Sequence, residues 1–170
     1  DKWVIVDTGV SDDRSQDGWR NILDGELSGS EISKIIVTHY HPDHIGNADW
    51  LSKRSLASVW MSSSEFLTAH AVFDKAATHS AQATGALFRQ HGLPDDEVDS
   101  VSAKGDHYKP LVRSLPTSFL RITNGETLDV GESSWQIIVG SGHSPEHLSL
   151  FCETEQVLIS GDMLLPKIST

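Results

Sequence analysis

The chain has 170 residues, 38% hydrophobic and 22% charged, the composition of a single ordinary globular domain with material for a sizeable core. Twenty-four acidic against thirteen basic residues give a formal charge of −11, a surface that repels nucleic-acid phosphates and anionic membranes, and no basic cluster offsets it. The longest apolar runs fall far short of a bilayer span, and the opening "DKWVIVDTG" reads as strand and turn, so the expectation is a cytoplasmic protein with neither membrane nor nucleic acid as partner.

"WVIVDTG" is short, β-branched and closed by a turn signal, which predicts a buried strand. After a polar loop, Trp19, Ile22, Leu23 and Leu27 fall at helical spacing and predict a short amphipathic helix ending near Gly29. "KIIVT" returns to strand character and leads into "HYHPDH". "NADWLSKR" reads as a helical turn or two, and "ASVWMS" as another strand. Residues 62–116 then change texture: Phe66, Leu67, Ala69 and Val72, and later Leu87 and Phe88, keep helical spacing. Ser62, Ser63 and Ser64 offer an N-cap ahead of Glu65, and Gly92 before "LPDD" marks a helix stop and a new start. This stretch reads as a helical insertion between strands. Beyond it, "FLRI", "ETLDV", "WQIIVG", "LSLFCE" and "QVLISG" are short strands, with "NGE" and "ETEQ" at hairpin turns. The whole predicts a mixed α/β domain over residues 1–170. The sole cysteine, Cys152, lies in the apolar run "LSLFC" and is expected as a buried thiol with no internal disulfide.

The chemistry concentrates where "KIIVT" ends. His39, His41, Asp43 and His44 crowd into six positions. Strand alternation would put His39, His41 and Asp43 on one side of the strand end, while Pro42 and Gly46 predict a loop that turns His44 beside them. Imidazole nitrogens with carboxylate oxygens suit Zn, Fe(II), Mn or Co better than Ca. "GSGHSPEH" puts His143 after the strand "WQIIV", and "LISGDMLLP" puts Asp162 after "QVLI". Three strands thus end in metal-ligand types, where a rigid sheet can present converging groups. No G-x-S-x-G elbow is present, which argues against serine hydrolysis.

These motifs resemble the metallo-β-lactamase superfamily: "HYHPDH" matches its His-x-His-x-Asp-His, "GHSPEH" its second histidine turn, "SGDMLL" its Gly-Asp step, and "VIVDTG" the strand before its first helix. The resemblance implies an αββα sandwich, expected here to be incomplete at both ends, with a dinuclear zinc site in which Fe or Mn is an alternative. His39, His41 and His143 would hold the first metal, Asp43 and His44 the second, and Asp162 would bridge them. His147 would support the ligands, Asp7 would stand behind them or be structural, and Asp43 would also act in catalysis by orienting the nucleophile. Two cations bridged by a carboxylate lower the pKa of a shared water. The activity so implied is metal-activated hydroxide attack on a small ester, thioester or lactone, with glyoxalase II-like thioester cleavage the nearest specific reading. β-Lactam and phosphodiester cleavage are less favoured. The alternatives from other classes are an iron-dependent oxidoreductase resembling persulfide dioxygenases, and a catalytically inert binding or structural fragment.

The family also supplies a later second-metal histidine, which this chain lacks. His70, His79, His91 and His107 all fall in the central stretch, outside that part of the pattern. The expectation is therefore an internal fragment of a longer protein, its second site one ligand short and its open sheet edges favouring a homodimer. The insertion at 62–116 is expected to cap the pocket, with Arg89, His91, His107, Tyr108 and Arg113 as candidates for contact with a small-molecule substrate.

Overall fold

In the computed structural model, residues 2–76, 79–104 and 108–167 are described. His107 lies outside them. Two four-stranded sheets organise the chain. The first contains β1 (Lys2–Val6), β2 (Glu31–Ile36), β3 (Ser58–Met61) and β4 (Leu120–Arg121), in that order and all parallel. Parallel neighbours need crossovers, and helices supply them. α1 (Asp13–Asp24) joins β1 to β2, and α2 (Pro42–Ile45) with α3 (Ala48–Ser55) joins β2 to β3. Between β3 and β4 run α4 (Ser63–Phe73), α5 (Ala81–Gln90), α6 (Asp95–Lys104) and α7 (Tyr108–Leu111). The second sheet is an antiparallel meander of β5 (Thr127–Val130), β6 (Ser133–Gly140), β7 (His147–Cys152) and β8 (Val157–Ile159).

β2 explains why a continuous apolar run is the mark of a central parallel strand. Ile35 joins the core beneath the helices with Ile5, Leu51, Val59 and Met61, against Trp19, Leu23, Trp50 and Phe66. Its neighbour Ile36 faces the other way, into a second core with Ile122, Leu128, Ile137, Leu148 and Leu150 between the sheets. The layers therefore run helices, sheet, sheet, and on the far side of the second sheet Ile138 and Leu158 stand exposed. Cys152 is buried beside Thr154 Oγ1, at 3.3 Å. Among the described residues no helix is long and apolar enough to cross a membrane.

Two local expectations are corrected. Leu27 lies beyond α1, because the backbone leaves helical geometry at the C-cap Gly25, where ψ is −98°, and the Leu27 N–H reaches five residues back to the Ile22 carbonyl, leaving a turn that closes at Gly29 with φ 78°. "NGE" is not a hairpin turn: β4 belongs to the first sheet and β5 to the second, so this segment carries the chain between sheets. The β5–β6 hairpin turns instead at Gly131, where φ is 63°. "ETEQ" does join the paired strands β7 and β8.

Candidate metal centre

From the end of β2 the chain runs through buried Val37 and Thr38 into His39, which is 0% exposed. The extended chain breaks at Pro42 as expected, but into the one-turn helix α2 rather than a loop, with His41 as its N-cap, and Asp43 leaves the side of His39 and His41. Proline is well suited there, since the first helical N–H has no partner to lose. The turn separates the cluster into two groups, with His39 and His41 on one side and Asp43 and His44 on the other. Thr8 pins it from below, its N–H and hydroxyl both donating to the His44 carbonyl at 2.8 and 2.7 Å. Gly46 closes it where a Cβ would lie 2.6 Å from the Gly9 carbonyl oxygen and 2.8 Å from that of Leu111. His143 arrives from the loop after β6, His147 opens β7, and Asp162 sits in a 3-10 turn (Gly161–Met163) after β8.

These elements bring the candidate ligands together. His39 Nε2, His41 Nδ1 and His143 Nε2 form a triangle with sides of 2.9, 3.0 and 3.1 Å. Asp162 Oδ2 lies 3.4 Å from His143 Nε2, and all four donor atoms fall within 4.8 Å of one another. A second group, Asp43, His44 and Asp162, meets the same limit, with His44 Nε2 3.5 Å from Asp43 Oδ2 and 3.4 Å from Asp162 Oδ1. Asp162 is common to both. One proton between three ring nitrogens can serve only one pair, whereas a cation at their centre serves all three. Tetrahedral ligands at zinc's bond lengths lie about 3.3 Å apart, so the rings need to part by only ~0.3 Å. The donor set fits a borderline-soft divalent metal such as zinc or Fe(II).

Supporting groups orient the rings. Asp7, in a left-handed conformation at φ 59° that aspartate tolerates, turns its carboxylate toward β2 and α2. Its Oδ1 accepts the Thr38 N–H at 2.8 Å, and its Oδ2 accepts the Thr38 hydroxyl at 2.9 Å and His44 Nδ1–H at 2.8 Å. Thr38 Oγ1 in turn accepts His39 Nδ1–H at 3.0 Å. These partners assign the tautomers, leaving Nε2 of His39 and His44 aimed at their groups, and they tie both groups to one carboxylate.

Charge follows the surroundings. Burial, reinforced by the neighbouring imidazoles with His44 first among them, lowers the His39 pKa to about 2, so the ring is in the neutral form that ligates metals. Burial likewise lowers His41, with His143 adding to the effect. Burial also opposes charge on His44, but hydrogen bonds to Asp43 and Asp7 outweigh it and raise its pKa to about 10, so without a cation Nε2 carries a proton that a metal bound there would displace. The same His44 contact, against the opposing effect of burial, lowers the Asp43 carboxyl to about 2.

His147 stands outside both groups. It is fully buried, its Nε2 accepts the Asp162 N–H at 3.1 Å, and its Nδ1 has no partner among the described residues. It thereby holds the turn that carries Asp162. Gly161 makes this approach possible: a Cβ there would lie 2.5 Å from His147 Cε1. Two supporting residues escaped the sequence reading. Thr38 is one. The other is Glu65, 0% exposed, whose carboxylate leaves the N-cap of its own helix to meet Tyr40, Ser144 and Glu146. Its one sequence signal is helical spacing, which sets a carboxylate on the same buried face as Ala69.

The candidates for substrate contact are scattered. Arg89 is engaged by Asp95 and Asp99, and Arg113 by Asp13, all on the surface. His91 is exposed at the end of α5, and His70 Nε2 lies 3.0 Å from the Pro116 carbonyl oxygen. Among the described candidates only Tyr108 touches the site, its hydroxyl donating to the Tyr40 carbonyl at 2.7 Å between His39 and His41.

A sequence profile of the metallo-beta-lactamase superfamily matches residues 1–169. The chain is similar to a beta-lactamase domain protein from Burkholderia ambifaria, at 35% identity and a TM-score of 0.78, over 99% of this chain and 48% of that one. It is 26% identical over 142 residues to the probable metallo-hydrolase YqjP of Bacillus subtilis, covering 83% of this chain and 42% of YqjP. It is also 29% identical over 77 residues to the hydroxyacylglutathione hydrolase of Ruegeria pomeroyi, covering 41% of this chain and 30% of that protein. The chain thus spans less than half the length of the curated relatives it matches.

Proposed function

The chain belongs to the metallo-β-lactamase superfamily, and from that premise we propose that it is a metal-dependent hydrolase of a small ester, thioester or lactone. The observation that carries the reading is the convergence of His39 Nε2, His41 Nδ1 and His143 Nε2 on one point, with Asp162 completing the set. In this proposal those four residues hold a first zinc, and Asp43, His44 and the shared Asp162 hold a second. Bound zinc would polarise the carbonyl under attack and make water acidic enough to supply hydroxide near neutral pH.

The protein's own groups then have distinct tasks. Asp43 is the most open of the donors, with a side chain 66% exposed, and it orients the attacking water from the solvent side. His44 is held by Asp7 so that only Nε2 faces the centre. The likeness to a hydroxyacylglutathione hydrolase supports a thioester as the reacting bond. The formal charge of −11 favours small molecules over nucleic acids as substrates.

The test is hydrolysis of acyl-glutathione thioesters and acyl lactones by protein stripped with chelator and then restored with zinc. Activity is expected to vanish on stripping and return with the metal. Hydrolysis indifferent to chelator would contradict the proposal. So would its absence alongside oxygen uptake by the iron-loaded protein with a persulfide.

A further inference from the structure

Glu65 is fully buried in the first turn of α4, yet its carboxylate does not fold back on the helix that carries it. Oε2 accepts the Tyr40 N–H at 3.0 Å, and Tyr40 is the residue between His39 and His41. Oε1 accepts the Ser144 hydroxyl and the Glu146 N–H, both at 2.7 Å, and Ser144 follows His143. One carboxylate therefore joins the two segments whose histidines form the first group. The surroundings make the join firm. The Ser62 hydroxyl donates to the Glu146 carbonyl at 3.0 Å, and the Tyr108 hydroxyl holds the other side of the Tyr40 residue. β2 and the β6–β7 loop belong to different sheets, and sheet packing alone does not set the histidine separation to tenths of an ångström.

We propose that Glu65 is a positioning residue for the first metal site: it spans the two histidine-bearing segments and sets the spacing of His39, His41 and His143. The inference rests on reading these three as metal ligands. It also gives the helices between β3 and β4 a second task, since α4 and α7 grip the ligand segments as well as lying beside them. The chemistry of the contacts explains why the residue is a glutamate. All three partners are donors, which suits an acceptor with two oxygens. A carboxamide of the same shape must turn its NH₂ toward at least one of them.

The test compares wild type with Glu65→Gln and Ser144→Ala. Zinc affinity is read by competition with a chromophoric chelator, site geometry by the visible absorption of the cobalt-substituted protein, and folding by melting of the metal-free chain. Glu65→Gln is expected to bind zinc about 10- to 100-fold more weakly, the usual cost of an outer partner, and to shift the cobalt bands. Ser144→Ala is expected to move both in the same direction by less. A merely structural role would lower the melting temperature and leave the affinity and cobalt spectrum of the folded protein unchanged, and that result overturns the proposal. Should Glu65→Gln fail to fold, Ser144→Ala decides it: weaker zinc binding supports the inference, and wild-type affinity sinks it. Wild-type protein that takes up neither zinc nor cobalt would overturn the metal reading itself, whereas metal binding that both variants share unchanged would overturn only the role of Glu65.

Discussion

Replacing His143 by alanine is expected to abolish the first metal site while leaving the fold in place. The imidazole supplies one of the three converging nitrogens, and it is the member 3.4 Å from Asp162 Oδ2, so its loss removes a corner of the donor set and a neighbour of the shared carboxylate. Loss of an outer partner weakens metal binding by about 10- to 100-fold, and loss of a direct ligand should exceed the upper figure, or about 2.7 kcal/mol. The backbone has independent anchors. Ser144 and Glu146 remain bound to Glu65, and the Ser141 hydroxyl still donates to the Pro145 carbonyl at 3.0 Å. Equilibrium dialysis against zinc and melting of the metal-free chain read the two halves of the prediction. Wild-type affinity in the variant would remove His143 from the site.

Asp162→Asn is expected to act differently, converting a two-metal protein into a one-metal protein. The carboxylate places one oxygen 3.4 Å from His44 Nε2 and the other 3.4 Å from His143 Nε2, so it alone belongs to both groups. Asparagine keeps the shape and the backbone N–H that His147 accepts, but it offers a cation one oxygen and turns an NH₂ toward the other. The first group retains its three histidines. The second is left with Asp43 and His44. A metal supplies several kcal/mol of transition-state stabilisation, so losing the second should slow hydrolysis by about 10²- to 10³-fold. Metal analysis of the purified variant together with kcat on an acyl thioester checks this. Two retained equivalents would show that Asp162 does not bridge.

Both variants involve residues that the sequence made visible, and the reason is physical. Each ligand lies at the end of a strand whose apolar run announces itself, as "KIIVT" does before His39 and "WQIIV" before His143. Histidine, at nine of 170 residues, is scarce enough that its spacing carries information even without the fold. The buried strands were legible for a related reason, since the end of β2 is covered on both faces and Ile35, Ile36 and Val37 follow one another without a polar position.

What stayed hidden was set by partners distant along the chain. α2 is a four-residue turn, too short to show a period, so alternation alone groups Asp43 with His39 and His41, and the division between His39–His41 and Asp43–His44 is legible only through the family resemblance. "NGE" has the composition of a hairpin turn, and nothing local says that β4 and β5 enter different sheets. Thr38 and Glu65 were missed because a side chain's hydrogen-bond partner leaves no mark in its own neighbourhood. Glu65 meets Tyr40 from 25 positions away and Ser144 from 79.

Metal content per chain tests directly whether the converging imidazole nitrogens form a metal site. Protein purified without chelator or added metal is analysed for zinc, iron and manganese, and its zinc uptake is then titrated. Two equivalents of zinc at saturation, falling to one in Asp162→Asn, is the predicted result. A chain that is folded, contains none of the three metals and takes up no zinc would contradict it.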